Sequence, residues 1–123
     1  MKRALVLFAH GARAASWAAP FERLRDMTQA RRADVRVELA FLELMTPRLP
    51  ELAAQLAADG ITGITVVPVF LGQGGHVLRD LPLMLDQLRI DHPHIKIDVA
   101  EAVGENASVL AAITDYCVAT LPV

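Results

Sequence analysis

The chain has 123 residues, 54% of them hydrophobic and 21% charged, with a formal net charge of −2. That length supports one domain with a sizeable core but is short for two, and the balance is that of an ordinary globular protein. Lysine and arginine are scattered, with Lys2-Arg3 and Arg31-Arg32 the only adjacent pairs, which excludes a basic stripe for nucleic acid, and no apolar run is long enough to span a membrane.

Lys2 and Arg3 precede an apolar run, as in a signal peptide, but the run ends at His10 after about six residues, shorter than a signal core requires. The expected location is therefore the cytoplasm, and the single cysteine, Cys117, fits that reducing compartment. Residues 4–9 are nearly all apolar, as in a central parallel strand covered on both faces. After His10-Gly11, the spacing of Trp17, Phe21, Leu24 and Thr28 predicts an amphipathic helix over about 17–32, with Pro20 near its first turn. Residues 35–42 form the second strand, which ends at Glu43. Thr46 supplies an N-cap and Pro47 a first helical position, and Leu49, Leu52, Ala53 and Leu56 share the inward face. Gly60 closes that helix.

Residues 61–71 make the third strand, in which Pro68 removes one ladder donor. The strand stops at Gly72 and delivers Gly74, Gly75 and His76 to the rim of the sheet. Asp80 caps a third helix with Leu81, Met84, Leu85 and Leu88 on one face, and His92-Pro93 ends it. Residues 95–100 are the fourth strand, and Asn106 caps a last helix with Val109, Leu110, Ile113 and Cys117 inward. Met27, Met45 and Met84 read as core or cleft filling, Cys117 as a small core residue, and His92 and His94 as turn residues.

Strict strand and helix alternation predicts an α/β fold: a three-layer α/β/α sandwich over residues 1–123, one domain, with a four-stranded parallel sheet. In the flavodoxin-like order 2-1-3-4 the first and third strands are neighbours, about 4.8 Å apart. His10 and His76 then converge on one rim, with Glu43 beside them. A histidine at a strand end is commonly a structural residue. Two of them, each flanked by glycine and each following an apolar strand, point instead to a site for a divalent transition metal such as cobalt, nickel, iron or zinc. Three protein ligands leave coordination positions open, as expected for a metal that is exchanged. Arg13 and Arg79, each three residues past its histidine, could grip carboxylates with their forked guanidinium groups, and Gly11, Gly74 and Gly75 let a substrate approach the backbone.

Three blocks carry a family resemblance: His10-Gly11-Ala12-Arg13, then Phe41-Leu42-Glu43-Leu44, then Val67 to Val77 followed by Asp80-Leu81-Pro82. Together they resemble the sirohydrochlorin chelatases of the small CbiX and SirB type, and the similarity runs over essentially the whole chain. It implies insertion of Co2+, Fe2+ or Ni2+ into sirohydrochlorin, on the way to cobalamin, sirohaem or related tetrapyrroles, without an organic cofactor. His10 and His76 become the metal-handling and proton-accepting pair, and Glu43 the acidic residue of the same site. Insertion removes two pyrrole protons, a task suited to neutral imidazole near pH 7. The family's first block commonly reads His-Gly-Ser-Arg. Ala12 in this chain removes that hydroxyl and any contact it makes to a substrate carboxylate.

Longer relatives carry two such domains. A chain of this length forms only one wall of a cleft, so the expectation is a homodimer, with Trp17 or apolar residues near Leu78 contributing. Two rival readings use the same residues: a cobalt or nickel metallochaperone without catalysis, and phosphoryl transfer through His10 with the Gly72–Gly75 loop cradling phosphate. The second has no Walker lysine and no Gly-x-Gly-x-x-Gly pattern behind it.

Overall fold

The first strand, β1 (Arg3–Ala9), is the one the others are arranged around. In the computed structural model, which describes residues 2–72 and 74–123 and only the backbone of His76, β1 pairs in parallel with β2 (Arg36–Phe41) and β3 (Gly63–Pro68). Beyond β3 lies β4 (Lys96–Val99), which gives the sheet order β2-β1-β3-β4. Along β1, Ala4, Val6 and Phe8 join one hydrophobic cluster, while Leu7 and Ala9 join another. The unbroken apolar run therefore reflects burial on both faces of a parallel strand.

On one face lie α2 (Leu49–Ala58) and α3 (Gly75–Asp91). The stripe Leu49, Leu52, Ala53 and Leu56 is buried as its spacing predicts, and so is Val77, Leu81, Leu85 and Leu88 on α3. Each such leucine contributes about 1.5–3 kcal/mol relative to an exposed position. The other face carries α1 (Ala19–Arg31), packed mainly through Phe21. Gly60 ends α2 in the left-handed region at φ 85°, where a Cβ would be strained.

Several boundaries differ from the sequence reading. Three strands are shorter: residues 61, 62 and 69–71 fall outside β3, 35 and 42 outside β2, and 95 and 100 outside β4, while β1 begins one residue earlier, at Arg3. The first helix begins at Ala19 with Pro20 in its first turn, and Trp17 sits in a separate 3-10 turn, Ala15–Ala18. Thr46 and Pro47 do not start α2. The Pro47 carbonyl accepts the Phe41 N–H at 2.9 Å and Arg48 bridges to Phe41, so this segment runs extended beside β2. Pro50 takes the first-turn position instead.

Asp80 does not cap α3. The helix starts at Gly75 with Gly74 as its cap, so Gly75, His76, Arg79 and Asp80 lie in the first turns of a helix, not on a loop. Val77 extends the buried stripe by a full turn, and that packing outweighs the weak helix propensity of Gly75. Pro82 falls inside α3 on its solvent side, where its missing N–H is tolerated.

The last helix, α4 (Ala107–Ala119), is capped by Asn106, whose side-chain oxygen accepts the Val109 N–H at 3.1 Å, as expected. Its inward face is only partly formed, with Val109 half-buried. No residue of α4 is buried, and Leu110, Ile113 and Cys117 are exposed. Before it, at the turn Val103–Glu105, Gly104 is pressed against the Leu71 backbone and donates its N–H to the Phe70 carbonyl at 2.9 Å. That docking carries the chain up to the rim of the sheet before α4 begins. Met27 is also exposed, against the core role its apolar side chain suggests. Among the described residues, no helix is long and apolar enough to cross a membrane.

Candidate functional site

The carboxyl ends of β1 and β2 leave the sheet still paired. Ala9 is in register with Phe41, and the Leu42 N–H reaches the Ala9 carbonyl at 2.8 Å. Gly11 then comes so close to β2 that a Cβ there would overlap the Glu43 carbonyl oxygen. The Gly11 position is thus taken up by this strand contact, where the sequence suggests substrate approach. Leu44 follows in the left-handed region at φ 67°, a conformation uncommon for a branched side chain. The Met45 N–H donates to the Glu43 carbonyl at 2.8 Å and closes the turn.

This turn aims Glu43 at His10. The two meet through His10 Nδ1 and Glu43 Oε1 at 3.2 Å, and both side chains are about 40% exposed, 40% and 41%. A neutral imidazole in this contact carries its hydrogen on Nδ1 and keeps the Nε2 lone pair free. It is the arrangement by which a carboxylate sets the tautomer and ring orientation of a metal-binding or proton-accepting histidine. The other oxygen of Glu43, Oε2, is shielded from solvent and has no hydrogen-bond partner among the described residues.

The His10 ring rests on Phe70, with centroids 4.6 Å apart and planes inclined by 38°. Its backbone is held as well, since the Trp17 indole N–H donates to the His10 carbonyl at 2.7 Å. Sequence alone assigns neither partner this role. Phe70 lies within the third of the family-like blocks, but the Trp17 contact spans a turn whose geometry the sequence does not specify. Beside His10 opens a cavity of about 430 Å³, whose walls include Trp17, Phe21, Phe70, Val109 and Ile113. His10 is the only titratable residue among its described lining. A cavity of similar size, about 410 Å³, lies at the opposite edge of the sheet near Lys2, Arg3 and Arg36. Ligands of open parallel sheets bind outside the carboxyl ends of the strands, which assigns the candidate site to the first.

Of the predicted site residues, His10 and Glu43 are brought together. The side chain of His76 lies outside the described residues; its backbone stands in the first turn of α3. Arg13 and Arg79 are exposed and make no side-chain hydrogen bond among the described residues. A Cβ added at Gly74 or Gly75 would meet nothing within 4 Å, so both border open space, in contrast to Gly11. Among the described residues, no group of three His, Cys, Asp or Glu side chains could hold a metal ion.

The family model CbiX matches residues 4–118. A sirohydrochlorin cobaltochelatase of Methanopyrus kandleri is 37% identical over 82 residues, 67% of this chain and 57% of that protein. The chain covers little more than half the length of the first curated relatives it matches, 57% and 53%. The crystal structure of a CbiX protein from Marinobacter aquaeolei VT8 is similar with a TM-score of 0.84 at 32% identity, over 95% of each chain. The sirohydrochlorin chelatase SirB from Bacillus subtilis subspecies spizizenii, solved in complex with cobalt, shares the fold with a TM-score of 0.81 at 24% identity, over 98% of this chain and 51% of its own.

Proposed function

The chain belongs to the CbiX family, and from that premise we propose that it is a sirohydrochlorin chelatase, inserting Co2+, or Fe2+ or Ni2+, into the macrocycle with release of two protons. The observation that carries this reading is the His10–Glu43 pair at 3.2 Å beside an apolar cavity on the carboxyl rim of the sheet. Insertion exchanges two pyrrole N–H protons for a cation. His10, oriented through Nδ1, offers Nε2 either to the metal or to a departing proton. Glu43 holds that orientation with Oε1 and offers Oε2 to positive charge. His76, from the first turn of α3, is the second imidazole of the site. Arg13 and Arg79 serve the substrate carboxylates, and Gly74 and Gly75 leave room for the ring. No organic cofactor takes part, and the metal is a substrate. Cobalt is placed first because the relatives are named cobaltochelatases.

Residues 1–123 act as one domain that presents a single wall to a large macrocycle, so two copies close the cleft as a homodimer. The exposed apolar face of α4 and the exposed Leu78 support this. The lone cysteine fits a cytoplasmic location.

Mixing the protein with sirohydrochlorin and Co2+ while following the visible spectrum tests the assignment. Catalysed insertion is expected, with His10→Ala and His76→Ala each losing about 10²-fold or more in rate while circular dichroism stays native. A metallochaperone would leave the uncatalysed rate unchanged, and wild-type rates in both variants would overturn the roles of the two histidines.

A further inference from the structure

We infer that the cavity between the Ala15–Ala18 turn and α4 receives the flat apolar face of the macrocycle, and that Trp17 at its rim is a substrate-binding residue. This inference rests on the chelatase reading and goes beyond it by naming the surface that holds the ring.

Trp17 is the only tryptophan of the chain, and it is 42% exposed in a turn that buries nothing. An indole in that position normally turns its polar edge to water. In this turn the N–H is already committed to the His10 carbonyl at 2.7 Å, so the surface left open is apolar. Phe21 supports the ring from behind, with centroids 5.6 Å apart. Val109 and Ile113 of α4 form the facing wall, and Phe70 connects the cavity to the His10 ring.

What can enter is set by what the walls lack. The described lining holds no lysine or arginine to pair with a carboxylate, and burying an unpaired charge is costly. The occupant must therefore present an apolar face and keep its charges outside. A tetrapyrrole polycarboxylate does this: its conjugated ring is flat and its carboxylates lie on the periphery. The volume of about 430 Å³ is within the range of small-molecule sites, about 300–1,000 Å³. A ring lodged against Trp17 brings a pyrrole edge toward His10, and the hydrogen bond from the indole holds the His10 backbone in place while it does so.

The test uses metal-free sirohydrochlorin and the full chain. Saturable quenching of the Trp17 fluorescence is expected in the wild type. By equilibrium dialysis, Trp17→Ala is expected to weaken binding about tenfold, with KM rising in step and kcat changing less; Trp17→Phe, which keeps an aromatic face, should recover most of that loss. Ile113→Ser, on the facing wall, should raise KM in the same sense. Wild-type binding and KM in Trp17→Ala would overturn the inference. So would a variant whose sedimentation changes while its KM does not, since Trp17 would then belong to a contact between copies. A wild type that neither binds nor metallates sirohydrochlorin would instead bring down the chelatase reading, and this inference with it.

Discussion

At Gly11 a hydrogen in place of a methyl group lets two strand ends touch, and the His10–Glu43 pair depends on that contact. Gly11→Ala must push the Glu43 turn outward. The expected cost is about 1–3 kcal/mol in urea unfolding, as for other insertions into packed space, and, on the proposed chelatase activity, a fall in insertion rate of more than about tenfold because Glu43 no longer reaches Nδ1. Gly74→Ala, which meets nothing within 4 Å, should cost under about 1 kcal/mol. Equal destabilisation by the two changes would contradict the strand-contact role of Gly11. His10 and Glu43 are legible in the sequence as strand-end polar residues because apolar runs stop at them. The role of Gly11 is not, because a glycine in a sequence shows only that a side chain is missing, not which backbone fills the space. The hydrogen bond from Trp17 has no sequence signal at all, since a 3-10 turn of alanine and serine leaves the direction of the indole open.

Among the elements, those with a buried stripe are the most legible. Leu52 and Leu56 are 1% and 0% exposed at the spacing the sequence predicts. Leu56→Ala is expected to cost about 2–5 kcal/mol with KM unaltered, because α2 lies under the sheet and away from His10. Leu110→Ala on α4, at 44% exposure, should stay within about 0.5 kcal/mol, and parallel urea titrations check both. Helix ends are less legible. Thr46-Pro47 has the composition of a helix start, yet the Pro47 carbonyl is taken by Phe41 in a neighbouring strand, a tertiary contact that local pattern does not encode. Likewise Asp80 is a good cap by composition, but α3 gains Val77 as a buried anchor by starting at Gly75. On α4 the apolar residues do not fall on one stripe, since Leu110, Ile113, Tyr116 and Val118 are all exposed. The spacing of Val109, Leu110, Ile113 and Cys117 does not say how far a neighbouring element covers them, and of the four only Val109 is half-buried.

For the whole molecule, strand and helix alternation leads to a parallel sheet, and the flavodoxin-like order β2-β1-β3-β4, one of the common windings of such a sheet, places the site before any side chain is considered. At this scale α4 offers the largest exposed apolar surface of the described helices. From Ala107 to the end of the chain Asp115 is the only charged side chain, and Leu110, Tyr116, Val118 and Leu121 are all exposed, the composition of an interface core. On the proposed homodimer, Tyr116→Asp should sediment as a monomer at concentrations where the wild type pairs, with unchanged circular dichroism. A wild type that is active and monomeric would exclude it. The route by which copies meet is narrowed by the two outermost strands. The carboxyl end of β2, at Phe41, is covered by the Pro47–Arg48 segment, and β4 has four residues, with Lys96 and Asp98 on its exposed stretch. Short, charged or covered borders are poor templates for a foreign strand. Such borders favour contacts made by helices over a sheet continued from one molecule into the next.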